Sequence, residues 1–336
     1  MATGMSGSFD VIVVGGGPAG CAAAITCRQN GLTALVIEAD GSPRDRPGET
    51  LHPGVDAIFG RLGVLEGVER AGFLRHTGHR VVRGLNSRFQ PYGSDERGEW
   101  RGYQAIRRQL DAILIDRARE LGATVRQSTH AVEPVVEGGR PVGVRTNDET
   151  FRAAFVVDAA GPVHWLQRHL GLALLQVSDP LIARFGWDDG AGDLPEFRVE
   201  GCGWRWEAPV GAARRAWVSV DLHGASTGGA GQGRDVTWRV VRPCAGAGYF
   251  LAGDAACVLD PASSHGVLRA MESGIRAGEA ITGGPASIAD YLAWMESWFC
   301  SDALALANLY ADFVPAPAWL GSAREALRYI AMKPFF

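Results

Sequence analysis

One segment limits the possible folds of this chain more than any other. Phe9-Asp10-Val11-Ile12-Val13-Val14 runs into Gly15-Gly16-Gly17-Pro18-Ala19-Gly20 and then into the small-residue stretch Cys21–Gln29. The first part is a short β-branched strand, the last a helix, and the glycines between them permit the tight turn that joins them. After Gly31 a second strand, Ala34-Leu35-Val36-Ile37, is closed by Glu38-Ala39. The pattern is G-x-G-x-x-G in a strand–turn–helix–strand setting with an acid about 20 residues on. The glycines differ in what they do physically. Gly15 makes the turn, Gly17 lets the backbone approach a pyrophosphate, and Gly20 lets helix and strand pack closely. Glu38 is placed to accept hydrogen bonds from ribose hydroxyls.

Two later loops have the same character. Phe155-Val156-Val157-Asp158-Ala159-Ala160-Gly161 is a strand ending in Asp-x-x-Gly. Tyr249–Ala252 reads as a buried strand that ends at Gly253-Asp254, ahead of Pro261-Ala262-Ser263-Ser264-His265-Gly266. From Gly266 to Ile281 the apolar residues Val267, Leu268, Met271, Ile275 and Ile281 fall mostly at helical spacings. A helix N-terminus there favours an anion or an electron-rich ring edge, although the same Ser and Asp would also serve as plain caps. Three such loops, spread over most of the chain, suggest a ligand long enough to lie across several strand ends of one sheet. Non-covalent FAD fits that better than a nicotinamide nucleotide held at one βαβ unit.

Composition narrows the class. The 336 residues are 46% hydrophobic and 21% charged, as in an ordinary globular protein, and a net charge of −4 gives no reason to expect nucleic acid. The six cysteines have no paired spacing, so neither a metal site nor a disulfide framework is expected. No leader or membrane-length apolar run is read from the sequence, which points to a cytoplasmic protein with no membrane partner. From residue 171 to 244 short alternating runs suggest an antiparallel sheet, with the glycine-rich Ala225–Arg234 as a loop inside it. The expected fold is therefore α/β: a Rossmann-like FAD-binding domain with a compact antiparallel-sheet substrate domain. Residues 1–75, 100–170 and 240–285 form the first, 76–99 and 171–239 the second, and 286–336 C-terminal helices.

Taken together, Gly15–Gly20, Arg107-Arg108-Gln109-Leu110-Asp111, Asp158–Gly161 and Gly253-Asp254…Pro261…Gly266 resemble the single-component flavoprotein monooxygenase fold. Gly48-Glu49-Thr50 and Gly203-Trp204-Arg205-Trp206-Glu207-Ala208-Pro209 resemble the branch shared by flavin-dependent halogenases and related hydroxylases. The resemblance implies that Gly15, Gly17, Pro18, Ala19 and Gly20 hold the pyrophosphate of FAD. It places Glu38 and Ala39 at the adenosine ribose, and Arg107 near ribose or phosphates. Asp158, Gly161, Gly253 and Asp254 complete the cradle, while Pro261, His265, Gly266 and Val267 lie along the flavin edge.

Halogenases of this branch carry a lysine in a strand after the Gly-Glu loop. The matching stretch here, His79-Arg80-Val81-Val82-Arg83-Gly84, has arginines, and Lys333 is the sole lysine of the chain. Arginine stays protonated and cannot form the same adduct. The implied activity is therefore hydroxylation of an electron-rich aromatic substrate through a flavin C4a-hydroperoxide, with O₂ as oxidant. Ser263-Ser264-His265-Gly266 and Gly253-Asp254-Ala255-Ala256 also resemble flavoproteins that hydroxylate peptidyl tryptophan in tryptophylquinone biogenesis, and the compact substrate sheet suggests a bulky, peptide- or carrier-bound ring. The alternatives are a reductase like the geranylgeranyl reductases, or a flavin-dependent halogenase, which the missing lysine disfavours. Only one complete dinucleotide motif is present, so electrons come from a transient NAD(P)H contact or a partner flavin reductase. His265 is the expected catalytic residue, by hydrogen bond or proton relay; the alternative packs its ring on Leu268. His52, Trp204 and Trp206 are candidates for the substrate pocket, with a core role for the two tryptophans equally open.

Overall fold

A computed structural model describes residues 5–42, 49–211, 213–223, 231–283 and 285–332. The β-branched strand Met5–Val14 sits in the middle of a mostly parallel sheet, between Ala34–Ile37 and Thr150–Asp158. Thr124–Arg126 extends the sheet on one side, and the antiparallel strands Arg140–Thr146 and Ala131–Glu137 on the other. The last turn of Thr150–Asp158 pairs instead with Tyr249–Leu251, again in parallel. Val11, Ile12, Val13, Leu35, Val36, Val156, Val157, Phe250 and Leu251 are fully buried. That is why these strands read as continuous apolar runs.

Eight helices are found among the described residues: α1 Pro18–Gln29, α2 Val55–Leu62, α3 Leu65–Arg70, α4 Arg107–Glu120, α5 Trp165–Leu170, α6 Gly266–Gly283, α7 Pro285–Ala311 and α8 Leu320–Met332. Helices α1 and α6 pack with almost no side chain between them. A Cβ on Gly274 would lie 2.1 Å from the Ala19 carbonyl oxygen, and one on Gly278 would lie 2.8 Å from Thr26. None of the described helices is long and apolar enough to cross a membrane.

The second sheet runs in the order 232–235, 182–189, 214–221, 203–209, 196–200, 78–83 and 86–91. It is antiparallel except that Gly78–Arg83 runs parallel to Glu196–Glu200. The glycine-rich segment expected as a loop contributes Gln232–Asp235 as an edge strand, paired with Ile182–Phe185; residues 224–230 lie outside the described ones. A small sheet of Glu49–Leu51, Gly102–Ala105 and Leu74–His76 joins the two halves, and Gly48 lies outside the described residues.

Candidate active site

The three glycine loops meet at the carboxyl ends of neighbouring parallel strands, where open α/β sheets place their ligands. The Gly15 amide donates to the Ile37 carbonyl at 2.8 Å, that of Ala159 to Val14 at 2.8 Å, and that of Ala252 to Asp158 at 2.8 Å. Gly15 has φ +107°, and a Cβ there would sit 2.3 Å from the Ala159 oxygen, while one on Gly20 would sit 1.8 Å from the Gly15 oxygen. Both are packing glycines. Gly17 differs: a Cβ on it meets no protein atom within 4 Å. Pro18 opens α1, whose N-terminus has no side-chain cap, so its first amides remain available to an anion. Glu38 braces the turn by accepting from the Gly16 amide at 2.5 Å and the Asp40 amide at 2.9 Å, and Ala39 follows half-buried.

The other loops close this cradle. Gly253, at φ +60°, brings its Cα against α1, so that a Cβ would lie 3.0 Å from the Ala19 methyl. Its amide donates to Ser273 Oγ of α6 at 2.8 Å. Asp254 lies between Arg234 at 3.3 Å and the buried Arg269 at 3.8 Å. Gly161, at φ +78°, has open space beside it. Arg107 is buried at the start of α4 and donates to Asp111 at 3.1 Å and to Glu49 at 3.0 Å. Burial opposes its charge, but the two carboxylates outweigh that and hold it protonated. The residues present thus fit FAD: a bare glycine backbone, an uncapped helix N-terminus and an acid at the end of the second strand, with further loops at the adjoining strand ends.

Asp158 plays a different part from the one expected. Its carboxylate is fully buried and accepts from the Ala160 amide at 3.0 Å and the Leu166 amide at 2.7 Å. Burial raises its pKa to about 6. Both oxygens are used in building the turn into α5, so Asp158 shapes the loop and offers no free carboxylate to a ligand.

At the far end, Asp260 caps the 3₁₀ turn Pro261–Ser263 by accepting from the Ala262 amide at 2.9 Å. Pro261 is exposed, Ser264 is left-handed at φ 54°, and α6 starts at Gly266, with Val267 already buried. His265 projects from this corner. Its Nδ1 lies 3.1 Å from both carboxylate oxygens of Asp302 on α7, which also accepts from Trp298 Nε1 at 3.0 Å. Beside them is a cavity of about 200 Å³ lined by Ala262, Ser263, His265, Asp302, Ala305 and the two leucines Leu306 and Leu309.

A cluster of rings lies nearby. Tyr92 contacts His52, His76 and His79 at ring-centroid distances of 5.1, 5.5 and 6.1 Å, and His79 contacts Trp206 at 5.4 Å. Trp206 is anchored by its Nε1, which donates to Thr50 Oγ1 at 3.0 Å; that hydroxyl donates to Gln104 at 2.6 Å. Burial lowers the pKa of His76 to about 4 and lowers that of His79. His52, exposed at the rim, is lowered by partial burial and by the charge of His265. Trp204 is not part of this cluster. It is 2% exposed, stacks on Phe197 at 5.6 Å, and donates to Tyr310 Oη of α7 at 2.9 Å. Tyr310 in turn donates to Asp260 at 2.7 Å. The core alternative holds for Trp204.

Residues 8–206, more than half of the chain, match the FAD binding domain family. The chain belongs to that family. It is an FAD-dependent oxidoreductase in fold and family, with a flavoprotein monooxygenase and halogenase type of architecture. It is 29% identical over 326 residues to the 1H-pyrrole-2-carbonyl-[peptidyl-carrier protein] brominase of Pseudoalteromonas luteoviolacea (strain 2ta16), covering 82% of this chain and 77% of that one. It is 26% identical over 318 residues to a digeranylgeranylglycerophospholipid reductase of Methanoculleus marisnigri (strain ATCC 35101 / DSM 1498 / JR1), covering 80% and 75%. The structure of the flavin-dependent brominase Bmp2 superposes with a TM-score of 0.78 at 24% identity, over 98% of this chain and 94% of that one.

Within this FAD-binding-domain fold, the sequence missed Asp302, Trp298, His79 and Tyr92. Asp302 carried a signal, being an acid among Ala303, Ala305 and Leu306 on an otherwise apolar helix face. Buried acids are retained when paired. His79 and Tyr92 carried none, because strand pairing across the sheet junction brings them to His52.

Proposed function

We propose that this chain is an FAD-dependent monooxygenase that hydroxylates an electron-rich aromatic ring, free or carried on a peptide or carrier protein. Bound FAD would supply the redox chemistry that activates O₂, with electrons from NAD(P)H or a partner flavin reductase. Gly15, Gly17 and Gly20 with the α1 N-terminus would hold its pyrophosphate, Glu38 its ribose side, and the Pro261–Val267 corner its ring. The chain's own contribution is a site of neutral imidazoles, Tyr92 and Trp206, with His265 as the proton-handling group.

One observation carries the choice of hydroxylation. The strand Gly78–Arg83, which by resemblance should offer a lysine, turns His79 toward Tyr92 and Trp206. Its arginines turn elsewhere: Arg80 lies 4.0 Å from Glu196, and Arg83 lies 3.9 Å from Asp312. Among the described residues this strand offers no amine to a hypohalous acid, and a neutral imidazole packs against an aromatic ring. The similarity to a brominase favours halogenation as the second reading, and that to the Methanoculleus reductase favours double-bond reduction as a third.

The test uses FAD-loaded protein with NADPH, a flavin reductase, O₂, bromide and a panel of phenols, indoles and pyrroles, free and carrier-linked. Mass spectrometry is expected to show the gain of one oxygen. A brominated product absent from a heat-killed control would overturn the proposal, as would anaerobic saturation of a double bond with no oxygenated product.

A further inference from the structure

We propose that Asp302 positions His265 as a base for a ring N–H or O–H bound in the cavity beside it, with His265 touching the substrate and Asp302 acting through the imidazole. The inference rests on the aromatic-substrate reading above and names the kind of ring: one small cycle bearing an acidic proton.

Three observations support it. First, Asp302 is 7% exposed, and a carboxylate so placed is retained when its oxygens are occupied. Trp298 Nε1, which can only donate, gives one hydrogen bond at 3.0 Å. The carboxylate is therefore the acceptor toward His265, and the proton lies on Nδ1, 3.1 Å from both oxygens. That tautomer leaves Nε2 as the acceptor. Second, the His265 side chain is 41% exposed and lines the cavity of about 200 Å³. Apart from Ser263 and the His265–Asp302 pair, its lining is alanine and leucine. An apolar cavity of about 150 Å³ holds benzene, so one five- or six-membered ring fits, its substituents leaving by the open side. Third, among the described residues Asp302 from α7 and His52 from the turn before α2 face His265. His52 is held toward its neutral form, so a charge formed on His265 is met by Asp302.

The step is a proton transfer. The O–H or N–H bond of the ring breaks, an Nε2–H bond forms, and the electron pair stays on the heteroatom and spreads into the ring. The ring carbon becomes a better nucleophile. The imidazolium is stabilised by Asp302.

4-Nitrophenol tests this without turnover, because its anion absorbs where the neutral form does not. Oxidised, FAD-loaded protein is titrated with it below the pH at which the free phenol ionises. Wild type is expected to show the nitrophenolate band. D302N, which keeps an acceptor for Trp298, should lower the bound anion fraction about tenfold, with partial recovery in D302E. H265A should abolish the band while the FAD spectrum is unchanged. Neutral nitrophenol on wild type, no binding at all, or an unchanged band in D302N would overturn the proposal. Should D302N not fold, ¹⁵N-histidine spectra of wild type decide: a proton on Nδ1 of His265 supports it, one on Nε2 alone overturns it. Failure of the hydroxylation reading would look different, as an intact nitrophenolate band with no oxygenated product.

Discussion

Gly17 shows how much one residue can say about a ligand. Its neighbours Gly15 and Gly20 are glycines because the protein itself fills the space a Cβ would take, whereas nothing of the protein opposes one at Gly17. Gly17 is also in an ordinary extended conformation, φ −77° and ψ −173°. Gly17→Val is therefore expected to fold with wild-type circular dichroism and the melting temperature of wild-type apoprotein, and to purify without FAD. Full flavin occupancy in that variant would refute the cradle. The turn made by Gly15 and Gly20 was legible because one short motif carries it, although the Ala159 carbonyl that crowds Gly15 was not. Trp204 and Trp206 were not separable, since residues two apart in a strand share a face. Phe197 touches both rings; only Tyr310, which accepts from the first, and His79, which meets the second, tell them apart.

At the scale of elements, the sequence placed the first two strands, the helix from Gly266 and the antiparallel sheet, because each has its own periodicity. It did not show what sets α1 against α6. The seam is made by Gly274 and Gly278 against Ala19, Ala22, Ala23 and Thr26, and small residues give no amphipathic signal. Since a Gly274 Cβ would press on backbone atoms of α1 at 2.1 and 2.9 Å, Gly274→Val should destabilise the protein by about 1–3 kcal/mol or more and weaken flavin retention. Gly321→Ala in α8, where nothing lies within 4 Å, is the control. It should be neutral or stabilising by up to about 1 kcal/mol. Melting temperature and released FAD in the two variants read both effects.

For the whole molecule the histidines set an acid limit. His76 titrates near 6.5 when unfolded but only at about 4 in the fold, because burial excludes its charged form. Between those values the unfolded chain binds the proton and the folded one does not, so stability falls as pH drops from 6.5 toward 4. His79 and His52 shift in the same direction. Asp158, raised to about 6, acts oppositely, since the folded state then holds the extra proton. The comparison therefore belongs between wild type and His76→Phe. Urea unfolding across this range should show a shallower acid loss in the variant, by about 2–3 kcal/mol at the acid end. An identical slope would show that His76 does not remain neutral.

The α1–α6 seam also dictates when the cradle can exist. Its first wall is made of residues 15–20 and its last of residues 253–274, so most of the chain must leave the ribosome before the two can touch. Until then the early strands have only part of their sheet, and Ala19, Ala22 and Ala23 face no partner. Contacts of such long sequence separation form slowly and leave apolar edges exposed in the interval. A nascent chain halted before α6 would carry the complete glycine signature and yet retain no nucleotide. In the proposed site, the residues that would recognise the cofactor come early in this sequence, and those that would close around it come late.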